Sequence, residues 1–258
     1  MNRVQAAFSG AAARSRAAFI GYLPAGFPTS DGFHTAADTI LEYADALEIG
    51  LPYSDPLGDG PTIQKAGEKA LANGMTVAGT FAAAKALRAR TDKALFVMTY
   101  YNPILATGEE AFVQAALESG VDGLILPDLP PDEADTLIPL AREAGIKLTF
   151  LLAPTSTKAR IELVADSSTG FIYAVSVTGV TGARAGIPEE VPQMLQSIKA
   201  ATDKPVAVGF GVSSFETAQA VARVADGVVV GSALVTAAER GQGLSELCQE
   251  ILRGCSKS

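Results

Sequence analysis

The stretch Ala46-Leu47-Glu48-Ile49-Gly50-Leu51, running straight into Pro52-Tyr53-Ser54-Asp55-Pro56-Leu57-Gly58-Asp59-Gly60-Pro61, decides how the chain is read. In its first six residues Leu47, Ile49 and Leu51 fall on one face of a strand. Ala46, Glu48 and Gly50 fall on the other. The apolar face suits a layer of helices, which leaves Glu48 pointing into a barrel between small neighbours. The ten residues that follow are rich in turn formers, so the strand ends in a long loop.

Working outward, similar apolar runs recur at Ala18–Leu23, Ala94–Tyr100, Gly123–Pro127, Lys147–Leu152, Phe171–Val177, Pro205–Phe210 and Gly227–Val230. Helical patterns follow most of them, for example Thr35–Tyr43, Glu109–Ser119, Pro131–Ala144 and Phe215–Val224. Strand-then-helix alternation gives a parallel sheet, because each crossover must carry the chain back. Eight such units predict an α/β fold, a single closed (β/α)₈ TIM barrel over residues 1–258 with βα-loop insertions. An open doubly wound sheet is the alternative. Val4, Ala7, Phe8 and Ala11 have helical spacing and predict a short N-terminal helix closing the barrel floor. The first thirty residues hold no acid and so mimic a transit peptide, but a strand follows at once from Ala17, which favours the helix.

The bulk numbers agree. A barrel of this kind needs roughly 250 residues, and the chain has 258, 48% of them hydrophobic and 19% charged. No apolar run approaches the ~18 residues a membrane span requires. The net charge of −8 argues against a nucleic-acid partner. Cys248 and Cys255 lie seven apart in a C-terminal helical pattern, about 10 Å at ~1.5 Å per residue, too far for a disulfide. A reducing, cytoplasmic setting fits them.

The longest interruptions, Pro52–Ile63 after strand two and Thr178–Glu190 after strand six, place the chemistry on the catalytic face, where long βα loops gather. Glu48 near the mouth loses solvation, which raises its pKa toward the range useful in proton transfer. The plain alternative is a strand-end Glu that reaches solvent or pairs with Lys. Asp59 lies between two glycines that free its backbone to bring the carboxylate over the barrel; the plain alternative is a turn with Asp as helix cap. Gly209-Phe210-Gly211 ends strand seven and Gly231-Ser232 ends strand eight. Glycines there let backbone amides approach an anion, and a helix start adds its dipole, at the place where such barrels commonly bind phosphate. Tight turns alone are the competing explanation. Thr178-Gly179-Val180-Thr181-Gly182 has the glycine hinges of a mobile lid.

Absences narrow the chemistry. The only histidine, His34, stands just before the first helical pattern, so a histidine metal cluster is excluded. Lys93, Lys147 and Lys204 lie at strand starts, on the wrong face for a Schiff-base aldolase. No dinucleotide fingerprint follows a strand. Carbon–carbon chemistry here would run on carboxylates and hydrogen bonds alone.

The run Leu47 to Gln64, with Tyr173, Gly179-Val180-Thr181-Gly182, Gly209-Phe210-Gly211 and Gly231-Ser232, resembles the tryptophan synthase α-subunit family, in order and spacing from about Phe19 to Val235. The resemblance implies a lyase that cleaves indole-3-glycerol phosphate to indole and glyceraldehyde 3-phosphate in tryptophan biosynthesis. It implies no cofactor and no metal in this chain, and a β-subunit partner that carries pyridoxal phosphate in an α2β2 complex. By position it makes Glu48 the acid/base that protonates the indole ring carbon, and Asp59 the group that holds the indole N–H. Tyr173 neighbours these carboxylates, and Tyr22 and Phe210 border the pocket. Thr181 bonds Asp59 on lid closure. Gly182, Gly211, Gly231 and Ser232 hold the phosphate. Pro52 and Asp55 meet the β subunit. Gly58 departs from the alanine frequent in the family, which loosens the loop, and Arg184 follows the lid without an assigned contact. A non-catalytic relative that only binds a β subunit, and a phosphosugar isomerase on the same barrel, are the alternatives.

Overall fold

Val4, Phe8 and Ala11 stand at i, i+4 and i+7, a single helical stripe. Helix α1 (Arg3–Ala12) forms there, started by Asn2 and Gln5 in a reciprocal capping box. The computed structural model describes residues 2–175, 190–209 and 211–257. In it the three apolar residues are buried against Ala18, Ile20, Phe96, Phe171 and other inward side chains of a barrel. Helix α1 therefore plugs the floor. The Phe8 and Phe171 rings lie 5.4 Å apart, and Phe171 meets Phe96 at 5.3 Å.

The strands are β1 (Ala18–Pro24), β2 (Ala46–Gly50), β3 (Ala94–Met98), β4 (Gly123–Leu126), β5 (Lys147–Leu152), β6 (Ile172–Val175), β7 (Val206–Gly209) and β8 (Gly227–Val230). They pair in sequence order, and β8 closes on β1 in parallel register from Ala18↔Gly227 to Gly21↔Val230. That last ladder rules out the open sheet. Leu47, Ile49 and Leu51 join the outer core beneath the helices, while Ala46 joins the inner one, as period-two alternation requires. The helices are α2 (Ser30–Tyr43), α3 (Pro61–Ala72), α4 (Val77–Arg88), α5 (Tyr101–Thr107), α6 (Glu109–Glu118), α7 (Leu137–Ala144), α8 (Lys158–Ser167), α9 (Glu190–Ala201), α10 (Phe215–Ala222), α11 (Ser232–Arg240) and α12 (Leu244–Gly254). Among the described residues no helix is long and apolar enough to cross a membrane.

The floor repeats one device four times. At the barrel's edge a polar residue just before each even strand accepts from one of the first amides of the odd strand preceding it. Asp45 accepts from Phe19 N (2.8 Å), Asp122 from Leu95 N (2.9 Å), Thr169 from Leu148 N (2.9 Å) and Asp226 from Val206 N (3.0 Å). Each aspartate also pairs with cations: Asp45 with Arg16, Asp122 with Arg88 and Arg3, Asp226 with Lys199 and Lys257.

Three expectations are corrected. Helix α2 starts at Ser30, because the Thr29 side chain accepts from the Gly32 amide, so His34 lies inside that helix and not before it. The pattern Pro131–Ala144 splits into a short 3₁₀ turn at Pro131–Glu133 and α7. Pro139 explains the split: inside one long helix it would remove a hydrogen bond and clash with the preceding turn, whereas at the start of α7 its missing N–H costs nothing. Strands β2, β3 and β4 stop one or two residues earlier than predicted, since the apolar run outlasts the ladder.

Candidate active site

Glu48 stands third in the five residues of β2, beside Tyr22 of β1 and Phe96 of β3. Its parity turns it into the barrel, where it is fully buried, and neither carboxyl oxygen has a hydrogen-bond partner among the described residues. Burial disfavours the charged form and pushes its pKa up to about 8. The room expected around it is taken up: the Tyr22 ring covers Gly50, with the phenolic oxygen 2.3 Å from where a Cβ at position 50 would stand. Tyr173 of β6 covers Gly209 of β7 in the same way, at 2.4 Å.

The β2–α3 loop folds back on itself. The Leu57 amide donates to Asp55 O (3.0 Å), the Asp59 amide to Pro56 O (3.1 Å), and Gln64 Nε2 to Asp59 O (2.9 Å). Neither flanking glycine needs a left-handed backbone. Gly58 matters instead because a Cβ there would crowd the Tyr100 hydroxyl at 3.2 Å. That hydroxyl accepts from the Gly58 amide at 2.9 Å. Burial raises the Asp59 pKa to about 6, and hydrogen bonding with Tyr100 acts against the rise.

Glu48 and Asp59 line one cavity of about 930 Å³, together with Tyr22 and Tyr173. Burial first, and the nearby carboxylates second, hold both tyrosines well above the ordinary phenol pKa. They remain neutral donors at any working pH. The cavity continues past Gly211 to Gly231 and Ser232. Gly211 takes φ +52°, a conformation that favours glycine. The two helix starts nearby differ. Helix α10 is closed by Ser214 and Thr217 in a capping box, whereas α11 begins at Gly231 with no side-chain cap. The first amides of α11 thus keep their donors for a ligand.

Thr181, Gly182, Phe210 and Arg184 lie outside the described residues, as does the lid segment 178–189. Pro52 is half-buried and Asp55 exposed, on the same loop that carries Asp59. The loop also bears Leu57, 95% exposed. Among the described residues no group of three or more His, Cys, Asp or Glu side chains is placed to hold a metal ion. Sequence reasoning missed Tyr100, taken as the last residue of a strand. Its parity with Phe96 and Met98, both inward, was the available signal.

Residues 8–255 match the family described as tryptophan synthase alpha chain. The chain is 51% identical over 258 residues to the tryptophan synthase alpha chain of Deinococcus radiodurans, covering 100% of this chain and 96% of that one. A chain from the aminoacrylate-bound form of tryptophan synthase from M. tuberculosis superposes with a TM-score of 0.91 at 40% identity, over 99% of this chain and 100% of the other. A chain of the tryptophan synthase a2b2 complex from Pyrococcus furiosus does so at 0.87 and 40% identity, over 92% of this chain and 98% of the other.

Proposed function

Because the chain belongs to the tryptophan synthase alpha chain family, we propose that Glu48 and Asp59 perform its carbon–carbon cleavage in the cavity at the barrel mouth. The chain is a lyase of tryptophan biosynthesis. It converts indole-3-glycerol phosphate to indole and glyceraldehyde 3-phosphate, with no cofactor of its own. Its partner is the β subunit of an α2β2 complex, which carries the pyridoxal phosphate.

The observation that carries the residue assignment is the pairing of a buried, unpartnered Glu48 carboxyl with Asp59 across one cavity. Their environments set the two pKa values apart, at about 8 and about 6. At neutral pH Glu48 holds a proton while Asp59 is charged, the division of labour that acid/base catalysis needs. Glu48 gives its proton to the ring carbon that bears the side chain. Asp59 holds the indole N–H and stabilises the positive charge that develops on the ring. The carbon–carbon bond then breaks with its electrons returning to the ring, and the adjoining hydroxyl yields its proton to the Glu48 carboxylate as the aldehyde forms. Atoms and protons balance without water, and Glu48 ends as it began.

Gly211, Gly231 and Ser232 present backbone donors to the phosphate at the uncapped start of α11, and Gly182 joins them. Tyr22, Tyr173 and Phe210 wall the indole. Thr181 reaches Asp59 when substrate is bound, and Pro52 and Asp55 face the β subunit. Residues 1–258 act as one domain, an arrangement supported by the tie of Ala17 N to Cys255 O and of Lys257 N to Ser15 O, both 2.9 Å. The cytoplasm is the setting, in keeping with two buried free thiols, Cys248 and Cys255. The test is direct: purified protein is given indole-3-glycerol phosphate and indole is measured, for wild type and Glu48→Gln. Indole from the first and not the second is the expected result. Equal indole from both removes Glu48 from the mechanism.

A further inference from the structure

We infer that Tyr100 is a positioning residue for Asp59, holding the β2–α3 loop and its carboxylate over the cavity through one shared hydroxyl. The inference rests on the reading of Asp59 given above and extends it.

Tyr100 follows β3 and is buried, at 5% exposure. Its hydroxyl has one proton to give and lone pairs to receive. The Gly58 amide donates to it at 2.9 Å, so the oxygen is fixed against the loop backbone one residue before Asp59. Its own proton remains to be given, and Asp59, whose pKa the hydroxyl lowers, is the next residue along the loop. A single atom thus holds the loop by its backbone and has a proton to spare for the functional side chain. The ring also meets that of Tyr53, whose centroid lies 5.4 Å away. Tyr53 belongs to the same loop, so the loop meets Tyr100 both at the hydroxyl and at the ring. Glycine at 58 makes the close approach possible, since a Cβ would stand 3.2 Å from the hydroxyl. The departure from alanine at this position therefore tightens the contact, the reverse of the loosening expected from sequence.

A charge-assisted hydrogen bond of this kind favours the ionised carboxylate. Among the described residues Tyr22 of β1, Tyr173 of β6 and Asp128 after β4 also interact with Asp59 or with Tyr100. None of these is a cation. Tyr100 is the described side chain that lowers the Asp59 pKa.

The experiment uses Tyr100→Phe, which keeps the ring and its contact with Tyr53. Carboxyl carbon-13 NMR titration should find the Asp59 midpoint above its wild-type value near 6. The acid limb of kcat/KM should move upward with it, with a loss of about tenfold at pH 6, the size of one hydrogen bond to a charged group. The alkaline limb, set by Glu48, should stay in place, which general damage to the fold would not achieve. An Asp59 midpoint identical in the two proteins overturns the role of Tyr100, whatever the rates. Asp59→Asn is assayed beside it. Full turnover there overturns the assignment of Asp59 as a catalytic group, a failure the NMR titration distinguishes from the first.

Discussion

The tip of the Tyr22 ring on β1 lies over Gly50 on β2, with its phenolic oxygen 2.3 Å from the site of an absent Cβ. The two residues are offset by two along the ladder, since Tyr22 pairs with Glu48 and Pro24 with Gly50. The tyrosine therefore leans toward the mouth, over the catalytic strand. Gly50→Ala would drive the ring into the cavity. Overpacking of this kind costs about 1–3 kcal/mol, and turnover should fall further than that because the displaced ring occupies substrate space. In a double-mutant cycle, Tyr22→Val should restore the melting temperature of Gly50→Ala. Additive losses would show that the two side chains do not collide.

The rate should depend on pH as a bell. Cleavage needs Asp59 ionised and Glu48 protonated, so kcat/KM should rise through about 6 and fall through about 8. Glu48→Gln should lower turnover by roughly 10²–10⁴, the usual contribution of a general acid/base, and leave substrate binding largely intact. A profile flat from pH 5 to 9 would count against both carboxylates.

Stability should respond to Glu48 in the opposite sense from most carboxylates. Its pKa is raised from 4.5 to about 8 on folding. Below about 4.5 the folded and unfolded chains both hold the proton, and nothing changes. Between 4.5 and about 8 the unfolded chain releases it first, so stability falls as pH rises, by on the order of 4 kcal/mol in all. Glu48→Gln removes that dependence. Its melting temperature should match wild type near pH 5 and exceed it by several degrees at pH 8. A gap that is constant across this range would be the contrary result.

At the phosphate end, a Cβ on Gly231 would meet Ile63 at an ordinary 3.4 Å. The fold therefore tolerates alanine there, and the branched side chain of Gly231→Val tests the ligand. KM for indole-3-glycerol phosphate should rise by at least tenfold, with a melting temperature close to wild type. Inorganic phosphate should protect wild type from thermal unfolding and fail to protect the variant. Undiminished affinity in Gly231→Val would move the phosphate elsewhere.

At the floor, Asp122 accepts from Arg88 Nη2 at 2.6 Å, Arg3 Nη1 at 3.3 Å and Leu95 N at 2.9 Å. Asp122→Ala would leave the partly buried Arg88 guanidinium and a strand amide without that carboxylate. Denaturant titration should show a loss of about 3 kcal/mol. Turnover of the protein that remains folded should be unchanged, because this residue lies at the end of the barrel away from the cavity.

Much of this architecture could be read from the residues because the strands are buried on both faces and therefore stand out as apolar runs. Glu48 was legible for the complementary reason: a lone carboxylate on the inward parity of such a run has nowhere else to point. Pro131–Ala144 misled because its apolar spacing is continuous, while the steric demand of Pro139 depends on where the helix begins. Tyr100 was hidden by its context. An aromatic residue at the end of an apolar strand looks like core, and its role comes from a loop that returns to it from 42 residues earlier in the chain. No local pattern records a contact of that range. The glycines around Asp59 were noticed for the wrong property: the fold uses the missing side chain of Gly58, not its freedom of backbone.

The fourfold device on the floor bears on which strand pairs need help to stay joined. Each cap joins an odd strand to the even strand after it, so the molecule is built from two-stranded quarters, each fastened at its own base. Three fastenings are carboxylates with cationic partners, and the one between β5 and β6 is the hydroxyl of Thr169. A ring fastened in this way has seams, and they fall between β2 and β3, β4 and β5, β6 and β7, and β8 and β1. Among the described residues β3–β4, β5–β6 and β7–β8 pair over only two or three residues, and every seam over four or five, so the fastenings stand mostly where the ladder is shortest.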